Sequence, residues 1–353
     1  MLRSMCSQLN NLISFRKLFS FRQVMSGVRY FPATVNFLIT NKCNLNCSIC
    51  SAHGMLDNSQ QLSAKEIVGF IKKISRYKPA IFFGGGEPFI RKDIFEILAA
   101  TKKNGLKYGI VTNGTMLDEH NIKRLFDFAP EIIIFSVHGD EISHDAKTGK
   151  KGAFVALYKA IKLAVKHKKK TDILLNAVIT QDNYLDLEKI VVLGKELGVN
   201  RVRFENLIFL SELEYAQHLA GCVGVLKEKQ AEMTTYIKDI NCPKIGPDMQ
   251  KEVLRLKQKY GSFVIFKPYM TDHERSRWFE QGFKFNRKCM FVRHSVFIRP
   301  NGDIIPCQFF SNYKLGNIKT DDLSRVWQEE KRKKFTKILN KEILPGCMRC
   351  CKL

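Results

Sequence analysis

The sequence has no run of eighteen or more apolar residues, which excludes a membrane-spanning helix. It has no acidic residue before Asp57. Its opening stretch, MLRSMCSQLNNLISFRKLFSFRQV, sets Arg16, Lys17 and Arg22 inside the apolar residues and offers no small-residue cleavage site, which argues against a secretory signal. No zinc-finger or RNA-recognition signature occurs. Aromatic residues are not interleaved with the basic ones as single-strand readers require, so a nucleic-acid partner is not indicated. Low complexity is absent too: 45% hydrophobic and 26% charged residues are the composition of a folded globular protein. At roughly 150 residues per domain, 353 residues imply about two domains.

What the chain does hold is an excess of positive charge and of cysteine. It has 58 Lys+Arg against 34 Asp+Glu, a formal net charge of +24. That balance favours an anionic partner: an acidic lipid surface, a charged small molecule or nucleic acid. Within residues 11–25, Leu12, Phe15, Leu18, Phe19 and Phe21 partly follow helical spacing. Two readings are open for this arm, an amphipathic helix lying on a membrane surface or a leading helix packed on the body of the protein. The first would place the protein peripherally at the inner face of a membrane. The 11 cysteines are an odd number and are clustered, unlike an evenly stapled secreted scaffold. Clustered thiols in a reducing, cytoplasmic setting suggest metal ligands.

From residue 34 a rhythm begins. TVNFLIT reads as a buried strand, and Ser63 with Glu66 forms a capping box ahead of Ile67, Phe70, Ile71 and Ile74 at helical spacing. AIFF, YGIVTNG, EIIIFSVHG, ILLNAVIT and VRFENLIFL follow as further strands, with helices predicted around 94–103, 121–128, 153–168 and 185–197. Six strand–helix steps with β-branched strands argue for a parallel α/β sheet, open or curved into a partial barrel. Residues 211–285 are rich in Lys and Glu and mostly helical in pattern, ending in an extended FVIFKPYM. SVFIRPNGDIIPC reads as a hairpin turning on Pro300, Asn301, Gly302 and Asp303. The tail around it is short for a free-standing core, so metal staples are expected.

The first cysteine group is Cys43-Asn-Leu-Asn-Cys47-Ser-Ile-Cys50, on a loop after a strand, at the carboxyl end where α/β folds place their sites. Three thiolates are one short of the four that usually hold a [4Fe–4S] cluster, leaving one iron open for chemistry. Counting alone also leaves a zinc site open, with His53 as fourth ligand. This C-x3-C-x2-C loop resembles the signature of the radical S-adenosylmethionine (SAM) superfamily. Gly84-Gly85-Gly86-Glu87-Pro88, after the second strand, resembles its glycine-rich SAM-binding motif, where the missing Cβ lets backbone approach the methionine amino group. The resemblance covers roughly 34–210. It implies that Thr112, Asn113, Ser136 and Asn176 line the ribose and the methionine carboxylate, and that Ile49 packs near the adenine. A turn, a satisfied strand-end hydroxyl, and for Ile49 a core position are the plainer readings of these residues. Asn183 competes with Asn176 as the residue that ends the fifth strand.

The resemblance implies a [4Fe–4S] cluster whose open iron chelates SAM. One electron then cleaves the sulfonium bond to a 5′-deoxyadenosyl radical, which abstracts hydrogen from substrate. An electron donor such as flavodoxin or ferredoxin is implied with it. In the tail, Cys289, Cys307, Cys347 and Cys350 form C-x17-C-x39-C-x2-C, and Gly302 to Cys307 is similar to the Gly-x4-Cys hairpin of SPASM and twitch domains. That implies one auxiliary [4Fe–4S] cluster in a twitch or shortened SPASM domain, serving in electron transfer or in structure. A four-cysteine zinc site remains the alternative, and Cys351 competes as ligand. Cys6, Cys222 and Cys242 stand isolated and read as ordinary buried or semi-buried residues.

The expected fold is thus α/β, a partial (β/α)6 TIM-type barrel with a small C-terminal hairpin and helix domain for a cluster. The expected boundaries are a basic arm at 1–33, the core at 34–210, a connecting region at 211–285 and the auxiliary domain at 286–353. His138, Asp140, Arg203 and Glu205 lie at or near strand ends, where a substrate would face SAM. No general-base constellation stands out, and hydrogen abstraction requires none. The expected function is radical SAM chemistry on a small-molecule or lipid-linked substrate. The alternatives are a peptide- or protein-modifying maturase and a non-enzymatic, metal-stabilised binding protein.

Overall fold

The computed structural model describes residues 30–50, 60–227, 236–240, 242, 244–285, 287–341 and 343–352. The arm before Tyr30 with its expected helix, Cys6 and His53 lie outside the described residues.

Six parallel strands form as their apolar alternation predicts: β1 (Thr34–Thr40), β2 (Ala80–Gly85), β3 (Tyr108–Thr112), β4 (Ile132–Ser136), β5 (Asp172–Ile179) and β6 (Arg201–Asn206). Between them run helices α1 (Ala64–Ile74), α2 (Ile94–Lys103), α3 (Glu119–Asp127), α4 (Glu141–Thr148), α5 (Ala153–His167) and α6 (Leu187–Leu197). Helix α1 starts where the Ser63–Glu66 box satisfies its first amides, and it buries Ile67, Phe70, Ile71 and Ile74. Each such side chain contributes about 1.5–3 kcal/mol. Helix α4 is an addition to the sequence reading. Only His144 and Thr148 of its residues are buried, so no apolar stripe announces it.

The sheet does not stop at the sixth strand. After α7 (Glu212–Gly221), a π-helical turn (Cys222–Leu226) and α8 (Ile245–Tyr260), FVIFK forms β7 (Val264–Lys267), parallel to β6. The tail hairpin forms as expected, with β8 (Ser295–Ile298) antiparallel to β9 (Asp303–Ile305) and β10 (Gly316–Asn317) beyond it. But β8 also pairs in parallel with β1, so the strands share one ten-stranded sheet in the order β10-β9-β8-β1-β2-β3-β4-β5-β6-β7. Helices α9 (Leu323–Gln328) and α10 (Glu330–Lys341) cover the hairpin. This is a partial TIM-type barrel with a small C-terminal hairpin and helix unit.

Strand side chains alternate between two faces. One alternate set, including Phe37, Phe83, Ile133, Phe135 and Phe204, packs with the helices in the large core. The other set, Ala80, Ile132, Ile134, Leu174 and Ile265, forms a second small cluster made only of strand residues. That second set is the floor of the barrel interior. The same alternation, carried toward the strand ends, turns Gly84, Ser136, Asn176, Arg203, Glu205 and Lys267 to the interior face. Among the described residues no helix is long and apolar enough to cross a membrane.

Candidate active site

The Cys43–Cys50 loop leaves the carboxyl end of β1 and is fastened by α4. The amides of Asn46 and Ser48 donate to the carbonyls of Thr148 (3.0 Å) and Lys147 (2.9 Å) in its last turn. Gly149 ends that helix at φ 68, with the Asn46 carbonyl 3.2 Å from where a Cβ would stand. The left-handed backbone and the close approach both favour glycine. Cys43 is exposed, and Cys47 and Cys50 are half-buried. Burial, then the neighbouring Cys50 and Cys43, push the Cys47 thiol up to about 12. The three sulfurs are therefore neighbours, and a metal would have to displace their protons. Ile49 is partly buried against the main core, the plainer of its two readings.

The glycine loop is laced to the same strand end. The amides of Gly86 and Glu87 donate to the carbonyls of Thr40 (2.8 Å) and Lys42 (2.9 Å). A Cβ on Gly86 would collide with the Lys42 carbonyl, and Gly85 sits at φ 116. At Gly84 a Cβ would meet nothing within 4 Å, so this glycine borders open space. The Glu87 side chain turns the other way. It is buried and accepts from the amides of Phe89 (3.1 Å) and Asn113 (2.7 Å) and the Thr112 hydroxyl (2.8 Å). The side chains of Glu87 and Thr112 thus join the loops after β2 and β3 from within and do not face the open space. Asn113 does reach the cysteine loop: its Nδ2 donates to Asn44 Oδ1 (2.9 Å) and lies 3.9 Å from Cys43 Sγ.

At the interior ends of β4 to β7, register aligns Ser136 with Asn176 and Asn176 with Arg203, and pairs Glu205 with Lys267. Arg203 Nε donates to Asn176 Oδ1 (2.6 Å) and lies 3.2 Å from Glu205 Oε1. Lys267 is the residue the sequence reading missed. Its signal was the same alternation in FVIFK, hidden because that segment read as extended tail. Burial, then the Arg203 guanidinium, lowers the Lys267 pKa, and the Cys351 thiol and Glu205 act against them. Asn183 folds back, accepting from Thr180 N (2.8 Å) and donating to the Val178 carbonyl (2.9 Å), so it ends the strand and leaves Asn176 inside.

His138 and Asp140 are not brought to this group. Asp140 caps α4, accepting from Ser143 N (3.1 Å). His138 is buried in a stack with His144, ring centroids 5.6 Å apart, and its amide donates to His144 Nδ1 (3.2 Å). Burial foremost, then His144 and Lys147, hold His138 down to about 3, so it stays neutral.

In the tail, Cys289, Cys307, Cys347 and Cys350 are all buried and Cys351 is half-buried. Burial raises the Cys289 thiol, pushes Cys307 up to about 11 and carries Cys347 well above its ordinary value. Cys307 and Cys289 add to the shift of Cys347, and a thiol hydrogen bond with Cys351 heads the causes at Cys350. These sulfurs are neighbours drawn from three segments. Among the described residues no group of three or more His, Cys, Asp or Glu side chains is arranged to hold a metal ion.

Residues 37–193 match the Radical SAM superfamily, and residues 289–351 match SPASM, an iron–sulfur cluster-binding domain. The chain belongs to the radical SAM superfamily. This radical SAM protein is 24% identical over 337 residues to the tungsten-containing aldehyde ferredoxin oxidoreductase cofactor-modifying protein of Pyrococcus furiosus, covering 88% of this chain and 85% of that one. It is 24% identical over 324 residues to the Fe-coproporphyrin III synthase of Methanosarcina barkeri, covering 88% and 79%. Streptococcus suis SuiB bound to its precursor peptide SuiA has the same fold, with a TM-score of 0.66 at 17% identity over 94% of this chain and 80% of that one.

A radical SAM enzyme of this kind uses a [4Fe–4S] cluster and SAM, and its SPASM domain carries an auxiliary iron–sulfur cluster. The residues present fit those groups. Cys43, Cys47 and Cys50 are mutual neighbours on a braced loop, Gly84 borders open space beside it, and the buried tail thiols offer four or more donors.

Proposed function

We propose that this radical SAM enzyme acts on a small acidic molecule held at the mouth of the barrel. The observation that carries the reading is the interior row of Asn176, Arg203, Glu205 and Lys267 at the carboxyl ends of β5 to β7. Two cations face one carboxylate there, a balance that welcomes an anionic group from the substrate. Cys43, Cys47 and Cys50 would hold the catalytic cluster, and Cys289, Cys307, Cys347 and Cys350 the auxiliary one. When bound, cluster and SAM supply one-electron cleavage of the sulfonium bond and the hydrogen abstraction that follows. The chain's own part is placement. The backbone around Gly84, Gly85 and Gly86 offers a close approach to the methionine end of SAM. Asn113, Ser136 and Asn176 offer polar contacts along it. The apolar floor of Ile132, Ile134, Leu174 and Ile265 keeps water from below. The names of the two curated relatives, which concern cofactor and tetrapyrrole chemistry, support a small molecule. The fold shared with a peptide-bound enzyme keeps a peptide as the competing outcome.

The test uses the anaerobically reconstituted full chain. With dithionite and SAM it should release 5′-deoxyadenosine, and Cys47→Ala should abolish the release. Coproporphyrin III, a polycarboxylate probe, should bind by absorbance titration, with Lys267→Ala weakening it at least about tenfold, the size of one lost charged contact. Cleavage that persists in Cys47→Ala would overturn the assigned cluster site. Probe binding that is indifferent to Lys267 would overturn the acidic-substrate reading.

A further inference from the structure

The sequence left Cys222 isolated. The structure sets it beside the tail segment that carries Cys347 and Cys350. Glu214 and His218 lie four residues apart on α7, and the same stripe runs on to Cys222 at the start of the π-helical turn. A π-turn inserted at a helix end often marks a functional site. All three side chains face the tail. Arg349 Nη1 donates to both Glu214 oxygens (2.8 and 2.9 Å), and Arg349 lies between Cys347 and Cys350 in sequence. Gly221 permits the approach, since a Cβ there would stand 2.9 Å from Leu344 Cδ2. The Leu344 carbonyl in turn accepts from the Cys347 amide (2.8 Å). The His218 ring stands edge-on to Phe310, centroids 5.6 Å apart, in the turn that begins at Cys307.

At the end of the stripe, Cys222 Sγ lies 3.7 Å from His218 Nε2. The two residues are 1% and 0% exposed, and His218 Nδ1 has no hydrogen-bond partner. Leaving a buried ring nitrogen unpaired carries a desolvation cost. An apolar side chain would fill the same space without that cost. Through Gly221 and Leu344 the start of the π-turn is packed onto the segment that carries Cys347.

We propose that Cys222 and His218 are positioning residues of the auxiliary centre, presenting a thiol–imidazole pair to the Cys347 thiolate and raising the reduction potential of the cluster it helps to hold. The physical reason is that a polar donor beside a ligating sulfur stabilises the more negative, reduced state. The proposal rests on the reading of Cys289, Cys307, Cys347 and Cys350 as ligands.

The experiment isolates the auxiliary centre in the full chain carrying Cys43→Ala, Cys47→Ala and Cys50→Ala. Anaerobic reconstitution should give about four irons per chain. No bound iron would mean that the ligand reading itself fails, and the proposal with it. Given iron, a potentiometric titration followed by electron paramagnetic resonance reads the midpoint. Cys222→Ala and His218→Phe should each keep the iron and shift the midpoint to lower potential. Cys222→Ser, which restores a small donor, should return toward the parent value. An unchanged midpoint overturns the proposal, and so does an equal fall in the Ala and Ser variants, which would signal packing alone. Loss of iron in Cys222→Ala overturns it in favour of direct ligation. Should Cys222→Ala not fold, His218→Phe and Cys222→Ser decide by the same criteria.

Discussion

At Glu87 two effects on one carboxyl oppose each other. Three donors favour its charged form, yet burial outweighs them and raises its pKa from 4.5 to about 7. The sign of the consequence follows. Between about 4.5 and about 7 the folded chain keeps this proton while the unfolded chain releases it. Glu87 therefore contributes stability below that window, and the contribution falls away as pH rises through it. Glu87→Gln has no such proton. Thermal denaturation of the parent should weaken across the window more steeply than that of the variant, and equal slopes would refute the assignment. Below the window the variant should be about 1–3 kcal/mol less stable, because its amide N–H₂ faces the Asn113 amide or the Thr112 and Phe89 donors, and the gap should narrow as pH rises through the window. The motif GGGEP marked this glutamate in the sequence. That its side chain works inward, between two loops, depended on where β3 placed Thr112 and Asn113.

Among the elements, α7 shows what periodicity does not announce. Its N-terminus is legible, since Ser211 and Glu214 form a capping box. Its partner is not, because Arg349 lies far along the chain and only folding brings the two together. Their ion pair is buried, with side chains 1% and 10% exposed, and Arg349 also donates to the carbonyls of Trp278 (3.0 Å) and Glu280 (2.6 Å). Removing one member leaves the other charge uncompensated. Arg349→Met should cost about 3–5 kcal/mol in urea denaturation. Adding Glu214→Leu should return part of that loss, giving a coupling energy that strictly additive effects would disprove. Helix α4 and strand β7 escaped the sequence for related reasons. The first buries too few apolar residues to show a stripe, and the second sits apart from the strand–helix rhythm that revealed β1 to β6. Ser136 and Asn176 were marked by the resemblance, and Arg203 and Glu205 by their place near strand ends; the shared face that strand alternation gives them emerged only with the register of the sheet.

On the scale of the whole molecule, the tail is bound to the barrel by backbone as well as by side chains. Strand β8 pairs with β1 at four positions, from Thr34 with Ser295 to Phe37 with Ile298. Asn36 Nδ2 donates to the Val296 carbonyl (3.2 Å), and Leu62 N donates to the Pro300 carbonyl (2.8 Å). Ile304, Phe309, Trp327 and Phe335 of the tail belong to the same apolar core as Phe37 and Phe83 of the barrel. A tail short of core residues therefore does not depend on metal staples alone, as its length first implied. The reverse dependence follows. A chain ending at Phe285 would expose the β1 edge and the apolar surface that the tail covers, and an open strand edge invites pairing with other chains. Such a chain should elute from size exclusion as aggregate, whereas the full chain should lose secondary and tertiary signals together on denaturation. A monomeric truncated chain with an unchanged far-ultraviolet spectrum would show instead that the barrel holds its own edge. The shared sheet would then be a docking surface between two independent units, and auxiliary-site variants could no longer be expected to disturb the barrel mouth through it.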